Sequence, residues 1–186
     1  MKSILNIVDV NDKIIGEKTR EEIHKHGLLH REVHVYFVTP NHEVILQHRA
    51  KDKDTYPDLL DATVGGHVEI GDSYEKTAIK ETLEETGTKI KASDLIFIDK
   101  IKKRSEDDVT KTINNSFRAS YLYIYSGDIK DLKTEAGKSQ GFEIWSLEKL
   151  ANLNKDDKAK FIPYILEVAI TKVITALKNI NKKPCF

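Results

Sequence analysis

The chain predicts a layered α/β or α+β domain, and three observations carry that expectation. Strand-like stretches rich in β-branched and aromatic residues interleave irregularly with helix-like stretches. The helical stretches bring their own start and stop residues. The 186 residues suffice for one good core and are too few for two full domains.

Taken in order, Ile4 to Val10 and Ile14 to Lys18 read as two strands joined by a turn at Asn11 and Asp12. Thr19 is placed to cap a short helix that runs to about His26 and stops at Gly27. Val33 to Val38 is a strand in which His34 and Tyr36 alternate with Val33, Val35 and Phe37. Pro40-Asn41 begins a turn, and Val44 to Gln47 continues as the next strand. Ala62-Thr63-Val64 reads as a short strand leading through glycines into a helix. Leu95 to Ile101 is a strand, and the charged segment Lys102 to Asn115 is a loop or hairpin end. Phe117 to Tyr125 alternates strongly and is expected to be a strand with Tyr121, Tyr123 and Tyr125 on one face. Ser126 to Gln140 is polar and loop-like. Phe142 to Trp145 is the last strand, and Ser146 caps a helix beginning LEKLANL. Phe161 to Lys178 is a terminal helix with Ile165, Val168, Ala169, Val173 and Leu177 in one stripe. The chain is thus read as one domain over 1–186. It has an N-terminal hairpin and helix over 1–29, a C-terminal helix over 161–178 and a loose tail over 179–186.

Composition excludes several classes of function. Hydrophobic residues make up 39% and charged ones 32%, an ordinary soluble profile. Thirty basic and thirty acidic side chains cancel, so no global field argues for nucleic-acid or membrane binding. The single cysteine, Cys185, cannot form an internal disulfide, which fits a reducing, cytoplasmic location. No stretch approaches the roughly 20 apolar residues of a membrane span, and the start has no signal-peptide pattern. A homodimer is compatible with all of this.

The chemistry is concentrated in residues 65–88, GGHVEIGDSYEKTAIKETLEETGT. Glu81, Glu84 and Glu85 are spaced i, i+3 and i+4, so on a helix they share an arc of roughly 100°. Like charges on one turn repel by a few tenths of a kcal/mol per pair. Such a cluster is kept either as a solvated acidic face or as a cation site. Asp72 or Ser73 suits the N-cap, and Asp72 with Glu75 makes a capping-box pattern. Ala78, Ile79, Leu83 and Thr86 form the expected buried side, and Gly87 stops the helix.

This stretch resembles the Nudix box, G-x5-E-x7-R-E-U-x-E-E-x-G-U with U a bulky apolar residue. Gly66 opens the pattern, Glu81, Glu84 and Glu85 match its core glutamates, and Gly87 closes it. Asp72 replaces the first glutamate, Lys80 the arginine, and Thr82 and Thr88 the apolar residues. The resemblance implies a mixed β-sheet between α-helices. It also implies Mg²⁺ or Mn²⁺ held by Glu81, Glu84 and Glu85, with the Gly66 carbonyl, against a diphosphate. One glutamate would also act as base. Lys80 would orient Glu81 or Glu84, less rigidly than arginine because it lacks the planar fork.

Upstream, LLHREVHVYFV and LQHRAKDKDTYPDLLDATVGGH resemble the branch close to type I isopentenyl-diphosphate isomerase. Arg49 and Lys53 match positions that hold a diphosphate there, and His67 is counted with them as a substrate contact. His30 and His67 match metal-ligand positions of the isomerase, and His24 or His26 lies near a third. Three histidines could bind a transition metal, although such residues are more often hydrogen-bonded turn or strand residues. Isomerase chemistry itself is disfavoured. Its cysteine position is Gly65, and its later acidic pair is replaced around Asn114, Asn115 and Ser116. Glu135 and Glu143 lie where relatives often supply a further ligand or base.

Other motifs are weak. Gly137-Lys138-Ser139 lacks the first glycine of a P-loop, and Asp52-Lys53-Asp54 lacks the glycine and glutamate of an EF-hand. The tyrosine row could stack bases, but a packed sheet face is the commoner use. The expected function is therefore metal-dependent hydrolysis of a small-molecule nucleoside diphosphate derivative. The alternatives are a weakly catalytic or non-catalytic nucleotide-binding module and a structural protein with a solvated acidic helix.

Overall fold

A computed structural model of the chain describes residues 3–180 apart from Asp54. Strands β1 (Ile4–Val8) and β2 (Ile14–Thr19) form a separate antiparallel pair. Helix α1 (Arg20–His26) follows directly. Its Thr19 hydroxyl accepts the Glu22 N–H, the Glu22 carboxylate accepts the Thr19 N–H, and Gly27 closes the helix in the left-handed region at φ 61°.

The second sheet has seven strands. They are β3 (His30–Val38), β4 (Glu43–Arg49), β5 (Leu60–Asp61), β6 (Val64–His67), β7 (Ile96–Glu106), β8 (Ile113–Ile124) and β9 (Ser139–Ser146). β3 and β8 run parallel at its centre, and the other pairings are antiparallel, so the sheet is mixed. Helix α2 (Tyr74–Thr86) lies on one face. On the other are α3 (Leu147–Ala151) and the helical run that passes through a π turn (Ile165–Ala169) into α5 (Ile170–Ile180). A further short helix, α4 (Lys155–Lys158), was not expected from the sequence.

Strand alternation sorts the core. Val33, Val35 and Phe37 join Ile45, Val64, Ala78, Ala119, Tyr121 and Tyr125 under α2. Tyr36 and Val38 join Val44, Leu46, Leu122, Trp145, Ile165, Val173 and Leu177 on the opposite face. The tyrosine row is thus a packed face, with Tyr121 and Tyr125 buried and Tyr123 half-buried.

Three expectations need correction. The strand expected over Ala62-Thr63-Val64 splits into β5 and β6, because Thr63 wedges between diverging β3 and β4. Its hydroxyl accepts the Phe37 N–H at 2.8 Å and donates to the Ile45 carbonyl. The charged segment Lys102 to Asn115 is mostly strand: β7 and β8 continue into it and leave only a turn around Asp107, an edge strand tolerating lysines on its outer face. The terminal helix extends to Ile180, and of its expected stripe Val168 is only half-buried. Residues four apart drift about 40° per step on a regular helix. The wider π turn takes up part of that drift and keeps Ile165, Ala169, Val173 and Leu177 in line. Residues 181–186 of the expected loose tail lie outside the described residues.

Leu46 is fully buried against this second face. Leu46→Ala should destabilise the protein by about 2–5 kcal/mol, read as a lower urea midpoint at an unchanged m-value.

Candidate active site

Helix α2 is capped by Ser73, whose hydroxyl accepts the Lys76 N–H, and ended by Gly87 at φ 71°. Asp72 is not the cap: its carboxylate pairs with Lys76. The face that α2 buries differs from the expected one. Leu83 is 44% exposed and Ile79 half-buried, whereas Thr77, Ala78, Glu81, Thr82, Glu85 and Thr86 are buried. The helix therefore turns two of its carboxylates inward. Small side chains at Ala78, Thr82 and Thr86 let it approach the sheet closely, and that proximity sets Glu81 and Glu85 against the glycine pair of β6.

Gly66 is required there. A Cβ at this position would meet the Glu81 side chain at 2.3–2.5 Å. Glu85 is held from two sides: its Oε2 accepts the Gly65 N–H at 3.2 Å and the Gln47 side-chain amide at 3.1 Å. Glu81 Oε2 is buried and has no hydrogen-bond partner. Lys138 faces both, its Nζ 3.4 Å from Glu85 Oε1 and 3.6 Å from Glu81 Oε2, and pairs more closely with Glu135 at 2.8 Å. Burial pushes Glu81 up to about 7 against the pull of Lys138, with Glu85 and Glu84 adding to the rise. Burial also raises Glu85, although Lys138, the Gly65 N–H and Gln47 oppose it. Burial works against the Lys138 ammonium, but Glu135, Glu85 and Glu81 outweigh it and keep the group protonated.

These residues line a cavity of about 410 Å³ that also reaches Arg49, Lys53 and His67. Arg49 is a fixed part of the wall. Its guanidinium donates to Asp61 Oδ2 and to the carbonyls of Thr55 and Tyr56. Glu84 is exposed on α2 and outside the cavity lining; it reaches Glu81 only through its charge. Lys80 does not orient either glutamate by contact, because its ammonium pairs with Glu69 across the β6–α2 turn. Glu135 comes to the site through Lys138. Glu143 does not: it accepts the Trp145 indole N–H and lies 3.7 Å from His48.

The far wall holds groups that sequence reasoning missed. Glu32 accepts hydrogen bonds from Ser116, Asn114 and the Arg118 Nε. Burial alone would raise Glu32, but Arg118 beside it holds the carboxyl well below its usual range. Arg118 also lies 3.9 Å over the Tyr164 ring. Beside this pair, His24, His30 and His67 converge, with one ligand atom of each within 4.8 Å of the others. The structure thus selects His24 rather than His26. His24 and His67 share a 3.1 Å hydrogen bond, and His67 stacks on His30. Burial lowers His30 and His67 and keeps both neutral, the form that ligates metals. Gln47 and Arg118 were detectable as polar residues inside apolar strands, whereas Lys138 stood out only within the incomplete P-loop match Gly137-Lys138-Ser139, which points to a different chemistry.

The comparisons with known proteins agree with the fold. The NUDIX domain model matches residues 28–165. An uncharacterised Nudix hydrolase of Clostridium acetobutylicum is 30% identical over 161 residues, which cover 84% of this chain and 77% of that one. Nudix hydrolase 3 of Arabidopsis thaliana is 34% identical over 163 residues, 80% of this chain but only 20% of that protein. The crystal structure of DR0079 from Deinococcus radiodurans shares the fold, with a TM-score of 0.72 at 18% identity over 92% of this chain and 99% of that one. The chain belongs to the Nudix hydrolases, enzymes that act on acid anhydrides. No helix among the described residues is long and apolar enough to cross a membrane.

Two outcomes follow from the packing. Gly66→Ala should displace the Glu81 side chain and destabilise the fold by about 1–3 kcal/mol, read as a lower urea midpoint. His34, buried beside Tyr36 and Tyr164, is lowered to about 4, chiefly by burial and then by Arg118. Between pH 4 and 6.5 the unfolded chain binds this proton and the folded one does not, so stability rises with pH there. That window carries about 3 kcal/mol. His34→Gln should shrink the difference in unfolding free energy between pH 7.5 and 4.5 by about 2 kcal/mol.

Proposed function

We propose that this chain is a divalent-metal-dependent pyrophosphohydrolase of a nucleoside diphosphate linked to another group. One observation carries the reading. Glu81 and Glu85 are buried side by side over Gly66, and Glu81 Oε2 lacks a hydrogen bond. Two buried carboxylates without full partners call for a cation. The donor set is all oxygen, which suits Mg²⁺ or Mn²⁺. Glu81, Glu85 and the Gly66 carbonyl would hold the ion, with the exposed Glu84 at the outer edge. When bound, the ion would neutralise phosphate charge and polarise the phosphoryl group.

The chain's own groups supply the rest. Gln47 and the Gly65 N–H fix the Glu85 carboxylate in one orientation. A glutamate of the trio accepts the proton of the attacking water while the bridging P–O bond breaks. Lys53 and His67 face the same cavity and are assigned to the diphosphate. Arg49 shapes the wall that carries Lys53, since its donors are committed within the chain. Lys80 supports the site at one remove, by tying Glu69 to α2. Glu143 is assigned no role.

The likeness to the isopentenyl-diphosphate isomerase branch is a finer reading, supported by Arg49, Lys53 and the convergence of His24, His30 and His67. In this reading the three imidazoles hold a borderline divalent ion such as Zn²⁺. The isomerisation itself has no carrier here, because Gly65 offers no thiol and Asn114 and Ser116 are spent on Glu32.

The test is a panel of nucleotide sugars, dinucleotide coenzymes, dinucleoside polyphosphates and oxidised nucleotides with Mg²⁺ or Mn²⁺. Hydrolysis should occur with at least one class and stop with chelator. Glu81→Gln and Glu85→Gln should each lower kcat by at least about a hundredfold. Full turnover in either variant would remove its assigned role. Tight ligand binding without turnover across the panel would favour the non-catalytic module instead.

A further inference from the structure

The proposed metal site is not electrostatically empty. The Lys138 ammonium sits among three carboxylates, 2.8 Å from Glu135, 3.4 Å from Glu85 and 3.6 Å from Glu81. Only the first distance is that of a close ion pair. The contact to Glu85 is a long one, and Glu81 Oε2 keeps no hydrogen bond. Lys138 thus balances the charge of the inner carboxylates while leaving Glu81 Oε2 without a hydrogen bond.

The backbone beneath Lys138 is anchored. Its N–H donates to the Glu135 carbonyl at 3.0 Å, and its carbonyl accepts the Ala50 N–H at 3.1 Å, tying the loop to the end of β4. Gly137, at φ 74°, provides the turn between Glu135 and Lys138. The side chain is a point charge on a four-carbon stem, so the ammonium can swing while the loop stays fixed. It lines the same cavity as Lys53 and Arg49, which leaves a displaced ammonium facing that space.

We propose that Lys138 is a built-in counter-cation with two stations: it neutralises Glu81 and Glu85 before a divalent ion binds, and once displaced it serves the phosphate end of the substrate. This rests on the metal-dependent reading above and deepens it. A divalent ion and the ammonium cannot both occupy the space between these carboxylates, because like charges at that separation repel strongly in a partly dry site. Metal affinity is then reduced by the fraction of molecules in which Lys138 covers the pair. The same cation that opposes metal uptake would favour the anionic substrate afterwards, which couples the two binding steps.

The test uses Mn²⁺ alone, followed by electron paramagnetic resonance, on wild type, Lys138→Met and Lys138→Arg. Lys138→Met keeps the stem and removes the charge. It should bind Mn²⁺ at least about fivefold more tightly, and Mn²⁺ should raise its Tm by more than it raises that of wild type. Lys138→Arg keeps the charge and should show no tightening. At saturating Mn²⁺, methylenediphosphonate, a non-hydrolysable diphosphate, should bind Lys138→Met at least about fivefold more weakly. Equal or weaker Mn²⁺ binding in folded Lys138→Met would overturn the first station, and unchanged methylenediphosphonate affinity would overturn the second. Failure of wild type and Lys138→Met alike to bind Mn²⁺ would instead sink the metal-dependent reading beneath both.

Discussion

The arrangement depends on one constraint: two carboxylates of one helix are buried against the backbone of a glycine pair. Unpaired buried charge is costly by several kcal/mol per ion, so a chain carries it only where something else compensates. Here the compensation is incomplete by design of the local geometry. Glu85 receives two hydrogen bonds from Gly65 and Gln47. Glu81 receives none at one oxygen and depends on the distant charge of Lys138. Thr82 at a position where the Nudix pattern has a bulky apolar residue belongs to the same solution. Together with Ala78 and Thr86 it thins the helix face, and a thinner face brings the carboxylates to Gly66.

The opposite wall solves the same problem in a closed form. Glu32 and Arg118 lie opposite each other because parallel β3 and β8 place Glu32 in register with Arg118. Ser116 and Asn114, on the same strand as Arg118, complete the carboxylate's hydrogen bonds. The result is a charge-balanced pair, with Arg118 Nη1 left without a hydrogen bond, next to the neutral His30 and His67. The cavity therefore has an acidic side, at α2, and a side without net charge, at β3 and β8. An asymmetry of this kind orients a molecule that has one charged end and one polar, uncharged end.

How much of this could be read from sequence differed by element, for physical reasons. Local chemistry was legible. Thr19 and Gly27 marked both ends of α1, and the choice of Asp72 or Ser73 with Gly87 marked both ends of α2, because capping depends on residues within four positions. The glutamate spacing and the glycine lead-in gave the family. Facing was not legible. Hydrophobic periodicity put Ile79 and Leu83 inward, since it assumes that burial follows apolarity, and a functional helix can bury its charged arc instead. Long-range partners were invisible for another reason. Lys80 pairs with Glu69, Arg49 with Asp61 and Lys138 with Glu81 and Glu85 through chain crossings that no local pattern encodes. The β5–β6 split came from Thr63 inserting its hydroxyl between strands, an event set by where β3 and β4 diverge.

The two inner glutamates are consequently held in different ways, and the difference bears on how such a site would work. Glu85 is oriented by groups on β4 and β6, elements packed into the sheet, so its position is set before anything binds. Glu81 is restrained by the bulk of its own helix and by a cation carried on a loop. One carboxylate is thus preorganised and the other adjustable. Mg²⁺ demands near-octahedral oxygen geometry but keeps several of its waters, so a single rigid anchor beside one that adjusts to the ion suffices to hold it. A site with both anchors rigid would bind the ion well but could not follow the charge that moves from bridging oxygen to leaving group during anhydride cleavage. Placing the adjustable member next to an ammonium on a flexible stem would let the same residues meet the metal-free state, the ion and the phosphate in turn without disturbing the sheet that supports them.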